Sequence, residues 1–396
     1  MNLLSGVTIL SFNHYLAGPL AAQTLADLGA DVIAVEPIEG AFQRNWAVAN
    51  HFVAGDSVNH LATGRNKRSL AVDLKHPDGI ALVKKLATTA DVVMENFRPG
   101  TMAKLGLGYD ALKQLNPGLI YAAATGFGPD GPYKDRPGQD LLLQALSGLA
   151  MRTGRADGAP TAVGAVIVDQ HAASIYAMSI LAALFARTKT GTGQLVEVNL
   201  YQAALDLQVE PLTAWLNGAP SPTSRGPSGI AAWFSPGPYG IHATTDGFLA
   251  ISLASPKALA AALACDPLMQ FAEADSFSRR EDITRLVAEQ LKQRPTSQWL
   301  PILEAARIWH APVQDYSDLQ TDPQLKHLGS FKTVEGAHGA PVTMVMHPAR
   351  YDGRVPEVRL VPQPLGAQTR DILQEAGYGA ADIAAMINAG AIGVTQ

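Results

Sequence analysis

The chain has 396 residues, a formal net charge of −5, 47% apolar residues and 16% charged residues. That length allows two or three domains, or one large domain with an insertion; the slightly acidic balance lacks the basic excess of a nucleic-acid binder. A single cysteine, Cys265, excludes an intrachain disulfide and a cysteine-rich zinc site, and fits a reducing compartment.

In chain order, Val7–Phe12 reads as a β-rich run before a turn at Ala17-Gly18-Pro19. Leu20–Leu28 reads as a helix stopped by Gly29, and Asp31–Val35 as the next buried strand. Pro77-Asp78 opens a helix, because proline suits the first turn and an acid suits the positive end of the dipole. Asp91–Met94 and Leu119–Ala124 are strand-like. Short strands separated by helices predict a parallel sheet with helices on both faces. The Gly, Pro and Ser-rich stretch Asn217–Gly240 reads as a linker and loop system. Beyond it come a hairpin, Tyr239–Ala243 with Phe248–Ser252 around Asp246-Gly247, then helices Asp282–Leu291 and Gln298–Ala306. Val342–Met346 is strand-like, and Thr369–Ala389 reads as two short helices stopped by Gly377 and Gly390. The N-terminus shows no basic residue or apolar run of a signal peptide, and the most apolar stretch, Ala172–Ala186, is shorter than the roughly 20 residues that cross a bilayer. The expectation is a soluble cytoplasmic protein.

Val7–Glu36 has the order of a dinucleotide-binding unit, but His14-Tyr15-Leu16-Ala17-Gly18-Pro19 replaces the glycine fingerprint. Glu36 then reads as a strand-end acid in solvent. Two basic clusters flank predicted sheet elements: Arg65, Lys67 and Arg68 with Lys75, and Arg98 with Lys104. Each reads equally as a solvated surface or as a phosphate site beside backbone amides. Asp169 follows an apolar run, Thr161–Val168, read as a strand, and precedes the small-residue helix Ala172–Ala186. At a helix N-cap its pKa is expected to fall, keeping a carboxylate nucleophile ionised; the same context suits a residue that only caps. Asp140, before the helical run Leu141–Ala150, has the same two readings. The 10 histidines show no metal-ligand spacing, and no Ser-His-Asp arrangement or nucleophile elbow stands out. No metal site is expected.

The chain resembles the family III CoA-transferases, the group that includes formyl-CoA:oxalate and carnitine CoA-transferases and the α-methylacyl-CoA racemases. The resemblance rests on Ala17-Gly18-Pro19 with Leu25–Glu36, Asn66–Leu74, Asp91–Gly100, Lys104–Gly106, Leu115–Tyr121, Gly126–Gly131, Thr188–Val198 and Pro364-Leu365-Gly366, in order along nearly the whole chain. It implies an α/β fold: a large Rossmann-like domain with a parallel sheet (1–215 and 325–396), a smaller α+β domain (216–324), and an interlocked, ring-like homodimer. It implies Asp169 as the catalytic carboxylate, with Gln139 and Asp140 lining the acyl pocket. It places coenzyme A, a substrate rather than a permanently bound cofactor, against His14, Ala17, Val72, Lys75, Asn96, Phe97, Arg98 and Lys104. Both basic clusters then face the CoA phosphates. No nucleic acid or membrane partner is implied.

The implied reaction moves CoA from an acyl-CoA donor to a short-chain or dicarboxylic acid through an aspartyl-CoA thioester. Oxyanion amides are expected at the Asp169 helix and near Gly226–Gly229. Arg65, Arg136 or Arg152 is a candidate partner for a second substrate carboxylate. The racemase branch carries histidine where this chain has Gln139, which favours transfer over racemisation, since racemisation needs an acid and a base on opposite faces of the α-carbon. Pro37 stands where the formyl-CoA:oxalate enzymes have arginine, and their glycine-run loop, whose equivalent here is Ser224–Ala232, keeps only Gly226 and Gly229. Alternatives are a racemase or epimerase on the same scaffold, an intramolecular CoA transferase, and a non-catalytic acyl-CoA-binding protein.

Overall fold

The structure, a computed structural model, describes residues 2–219, 225, 226 and 229–395. Its contacts divide the chain into two compact units. The first comprises Met1–Leu143, Val166–Leu207 and Gln324–Gln396; the second comprises Gln144–Ala165 and Gln208–Pro323. The segment Gln144–Ala165 thus groups with the second unit, whereas the sequence reading has it in the large domain.

The first unit is a seven-stranded sheet. Its strands are β1 (Thr8–Phe12), β2 (Asp31–Glu36), β3 (Lys67–Val72), β4 (Val92–Glu95), β5 (Ile120–Thr125), β6 (Leu195–Asn199) and a short antiparallel edge, Ile392–Gly393. The order is edge-β3-β2-β1-β4-β5-β6, and β1 to β6 run parallel. The chain builds outward from β1 through β2 to β3, then returns to the other side of β1 as β4. The carboxyl ends of β1 and β4 therefore form the switch point where open α/β sheets leave a crevice.

The central strands β1, β4 and β5 are largely apolar because both faces are covered. On one face lie α1 (Ala17–Asp27) and α4 (Ile167–Thr190), with Ile9, Leu25, Val32, Val92, Tyr176 and Ile180 in the core. On the other lies α2 (Pro77–Ala87), with Leu10, Ile33, Leu70, Leu82 and Val93. The 24-residue α4 is, among the described residues, the one helix long and apolar enough to cross a membrane by length and composition. Here it packs on α1 and the sheet as a core helix. It is longer than the run Ala172–Ala186 suggests, because polar residues at both ends continue the helix to a left-handed Gly191.

The expected strand over Thr161–Val168 does not form. The sheet position beyond β5 is taken by β6, so this segment meets no strand edge, and its last two residues enter α4 instead. The expected helix Leu141–Ala150 is broken: α3 (Asp140–Leu146) ends before Gly148, which has φ of 85°. The first unit also holds two antiparallel strand pairs, Phe331–Glu335 with Pro341–Val345 and the short Phe52–Val53 with Asp56–Ser57. The two C-terminal helices, Thr369–Glu375 and Ala380–Asn388, end near the expected glycines.

The second unit holds a three-stranded antiparallel sheet, Gly240–Ala243, Phe248–Ile251 and His310–Pro312, around the expected Asp246-Gly247 turn. Leu249, Ile251, Ile283, Val287 and Trp299 pack its covered face against helices. Of the linker 217–240, residues 220–224, 227 and 228 lie outside the described residues, and with them part of the loop Ser224–Ala232.

Candidate active site

The switch point gathers three of the residues implied to touch coenzyme A. β1 and β4 pair in register, Phe12 opposite Glu95, so the chain leaving each strand meets the other. The His14 amide donates to Asn96 Oδ1 at 2.9 Å, and Asn96 Nδ2 donates back to the His14 carbonyl at 2.8 Å. The His14 and Phe97 rings lie 5.1 Å apart. Burial lowers the His14 pKa to about 4, so its imidazole is neutral at pH 7. Ala17, buried, is the first residue of α1, and Arg98 and Lys104 are both exposed.

Val72 differs. It is buried in the core, and as the last residue of β3 it pairs with Ile392, so its side chain offers a ligand no surface. Lys75, exposed, lies just beyond.

Arg65, Lys67 and Arg68 of the first basic cluster are held internally, against the expectation that they face phosphate. Arg65 is buried and grips Asp27 of α1, with Nη2 2.7 Å from Oδ2. Lys67 is buried and donates to the Pro19 carbonyl at 2.6 Å, and burial lowers its pKa to about 7. Arg68 joins Asp31 at 2.6 Å and Glu375 at 2.8 Å. Tertiary packing supplies these partners from distant segments, and buried cations require such partners. It also removes Arg65 as a partner for a substrate carboxylate. Arg136 is exposed and lies over the Tyr133 ring, while Arg152 is half-buried. Glu36 is likewise not in solvent: burial pushes its pKa up, but Arg44 at 2.5 Å and Ser69 overcome this and hold it below the usual range.

Asp169 is the third residue of α4, half-buried, rather than its N-cap, which is Val166. Capping comes from across the fold. Asp140 Oδ1 accepts the Val168 amide at 2.7 Å and the Asp169 amide at 3.1 Å. Asp140 is buried, and its approach depends on two glycines after β5. A Cβ on Gly126 would lie 2.6 Å from Gly138 Cα, and one on Gly138 would lie 2.3 Å from Gly126 Cα, so neither position admits a side chain. This crossing brings Gln139, exposed, and Asp140 to the helix start.

The expected fall in the Asp169 pKa is reversed. Burial, followed by the like charge of Asp140, raises it from 3.8 to about 7. The amides that would have stabilised its anion are occupied by Asp140. For the same reason, the Val168 and Asp169 amides are not available as an oxyanion hole.

The position of α4 sets where Asp169 sits. At the helix's far end Arg187 binds Asp91 at 2.6 Å and the Gly118 carbonyl at 3.1 Å, at the starts of β4 and β5. The Tyr176 hydroxyl reaches the Glu95 and Ala122 carbonyls, towards the strands' carboxyl ends. Asp169 lies seven residues earlier, roughly 10 Å further along the helix axis at 1.5 Å per residue. It therefore projects past the edge of the sheet that carries His14, Asn96 and Phe97.

Glu95, unnoticed in the sequence, ends β4 at this edge. It is buried, and burial raises its pKa to about 7. Its only sequence signal is an acid closing an apolar strand before the Asn96–Gly100 loop. No group of histidine, cysteine and acidic side chains suited to a metal occurs among the described residues.

Comparison with known proteins places these features in context. The family description CoA-transferase family III matches residues 4–369. A succinyl-CoA:glutarate CoA-transferase of Homo sapiens is 30% identical over 400 residues, covering 98% of this chain and 90% of that protein. A succinate–glutarate CoA-transferase of Agrobacterium fabrum is 34% identical, covering 90% of this chain and 92% of that protein. The crystal structure of a CaiB/BaiF family protein from Brucella suis superposes with a TM-score of 0.82 at 30% identity, covering 95% of this chain and 99% of that one.

Proposed function

The chain belongs to CoA-transferase family III, and on that footing we propose that Asp169 is the carboxylate that carries CoA between two acids. Asp169 attacks the thioester carbonyl of the donor; the carbon–sulfur bond breaks and CoA leaves as thiolate, giving a mixed anhydride. The thiolate attacks the Asp169 carbonyl, the donor acid leaves as carboxylate, and an aspartyl-CoA thioester remains. The acceptor carboxylate attacks that thioester and expels the thiolate, which returns to the acceptor's carbonyl and frees Asp169. Each step exchanges carboxylate for thiolate, so the sequence closes with no net proton transfer.

The observation that carries this reading is a half-buried aspartate whose pKa of about 7 leaves it a basic, poorly solvated carboxylate at the sheet edge bearing the His14–Asn96–Phe97 cluster. The protein's part is orientation and exclusion of water from the anhydride. His14, Ala17, Asn96 and Phe97 hold the coenzyme, with Arg98, Lys104 and Lys75 against its phosphates and Val72 contributing through its backbone. Gln139 and Asp140 line the acyl pocket, and glutamine at 139 leaves no second proton carrier for racemisation. The names of the two transferase relatives support succinyl-CoA as donor and a short dicarboxylate such as glutarate as acceptor. A homodimer, interlocked as the family resemblance implies, is consistent with large apolar side chains left exposed on α4, Met178 at 62% and Phe185 at 63%.

The test is a panel of acyl-CoA donors against mono- and dicarboxylates, read by the mass of the CoA products, with borohydride or hydroxylamine trapping. The expected result is glutaryl-CoA from succinyl-CoA and a trapped adduct on the peptide containing Asp169. Turnover with a label on any other residue would reject Asp169 as the carrier.

A further inference from the structure

The proposed chemistry makes an unusual demand. The same thiolate must reach two different carbonyls, that of the acyl group and that of Asp169, while the nucleotide end stays bound. The nucleotide-side loop and the Asp169 helix must therefore keep a fixed separation. Glu95 stands between them and is used by neither.

Glu95 is 9% exposed, and among the described residues no ion pair reaches its carboxyl. Such a group costs stability where it sits. Its partners explain its presence. Oε2 accepts the Phe97 amide at 2.8 Å, which ties down the turn that faces His14. The Tyr121 phenol, from β5, faces the same carboxyl. The backbone of Glu95 is held from the other side by Tyr176 of α4. That hydroxyl accepts the Glu95 amide at 3.2 Å, lies 3.1 Å from the Glu95 carbonyl and donates to the Ala122 carbonyl at 2.5 Å. The Glu95 carboxyl thus meets the Phe97 amide of its own turn and the Tyr121 phenol of β5, on the sheet face shared with Phe12 and Val93, while Tyr176 of α4 holds its backbone from the other face.

We propose that Glu95 is a positioning residue: its buried carboxyl holds the Asn96–Phe97 turn and its backbone is bonded by Tyr176 of the Asp169 helix, so that the one residue joins turn to helix and sets the reach of the CoA thiol. The inference rests on the coenzyme reading above. Glu95 touches no reacting atom; it acts through Phe97 on one side and through Tyr176 on the other.

The experiment measures kcat and KM for succinyl-CoA with glutarate, and Kd for free CoA, in the full-length protein. Glu95→Ala is expected to weaken CoA binding about tenfold and lower kcat about a hundredfold at saturating substrate. Glu95→Gln keeps an oxygen for the Phe97 amide and is expected to stay within about threefold of wild type in both. Tyr176→Phe is expected to lower kcat about tenfold, and the Glu95→Ala/Tyr176→Phe double variant to be no worse than Glu95→Ala alone, as members of one network. Unchanged kinetics in Glu95→Ala, equal damage in Glu95→Gln, or additive losses in the double variant would overturn the proposal. If Glu95→Ala does not fold, Glu95→Gln and Tyr176→Phe decide: rescue with a kcat loss supports it, and an unaltered Tyr176→Phe overturns it. Wild-type protein that binds no CoA would instead remove the coenzyme reading on which the inference rests.

Discussion

The two ends of the parallel sheet treat charge in opposite ways. At the amino end, charges are answered: Asp31 by Arg68, and Asp91 by Arg187, with the Thr8 amide adding a bond of 2.7 Å to Asp91. At the carboxyl end, around β4 and the start of α4, two carboxyls, those of Glu95 and Asp169, have no ion pair among the described residues. The Glu95 carboxyl accepts the Phe97 amide, and Asp169 sits beside a second carboxylate, Asp140; Glu95 and Asp169 both have pKa values raised to about 7. β2 shows that the difference is not a rule of strand ends, because its terminal Glu36 is answered by Arg44. Among the described residues, the two acids whose pKa burial raises, Glu95 and Asp169, both lie at this end, where the proposed chemistry needs a reactive carboxylate.

Substitutions at each end sharpen this contrast. Asp169→Asn is expected to lower CoA exchange on the order of 10³-fold or more, as for loss of a covalent nucleophile. The same change should raise thermal stability. A carboxyl whose folded pKa lies above its unfolded value costs stability once ionised, so the gain should be absent below pH 4, grow towards pH 7 and level off above it. A variant melting as wild type does across that window would break the assignment of a strained acid. At the other end, Arg187→Ala removes bonds to Asp91 and Gly118 and should cost about 2 kcal/mol in denaturant unfolding, with KM unchanged in the folded protein. A kinetic defect there would erase the distinction between the ends.

Smaller effects probe the carboxyl end further. Arg98→Ala with Lys104→Ala is expected to raise KM for acyl-CoA about tenfold, roughly one charge-assisted phosphate contact, at unchanged melting temperature. The matching loss should be smaller for an acyl-pantetheine lacking the nucleotide. Asp140→Asn retains the oxygen that caps α4 but removes its charge. The acid limb of the kcat/KM profile, expected near pH 7, should move down by about one pH unit. A limb that stays in place would assign the raised pKa to burial alone.

Much of the fold is legible in the residues. Strand runs such as Val7–Phe12 and Asp31–Val35 announce a parallel sheet because both its faces are buried, and Pro77, Gly191 and Gly377 mark helix ends through local backbone preferences. The motif residues that mark a family III transferase are equally plain. What one-dimensional reading misjudges is partnership. Thr161–Val168 is strand-like in composition but has no edge to join. Arg65, Lys67 and Arg68 look like a phosphate site but are consumed by Asp27, Pro19, Asp31 and Glu375. Glu95 looks like nothing until Tyr121 and Tyr176 are seen around it.

The sequence alone determines the α/β class and the family, and singles out Asp169 as the carboxylate to test, because periodicity, glycine stops and motif order are local properties that survive in one dimension. Only the tertiary structure decides the state of that carboxylate. Its helix amides are taken by Asp140, 29 positions away, and the surrounding fold removes water from its side chain. A pKa depends on solvent and neighbouring charge in three dimensions, and neither is written in the order of residues.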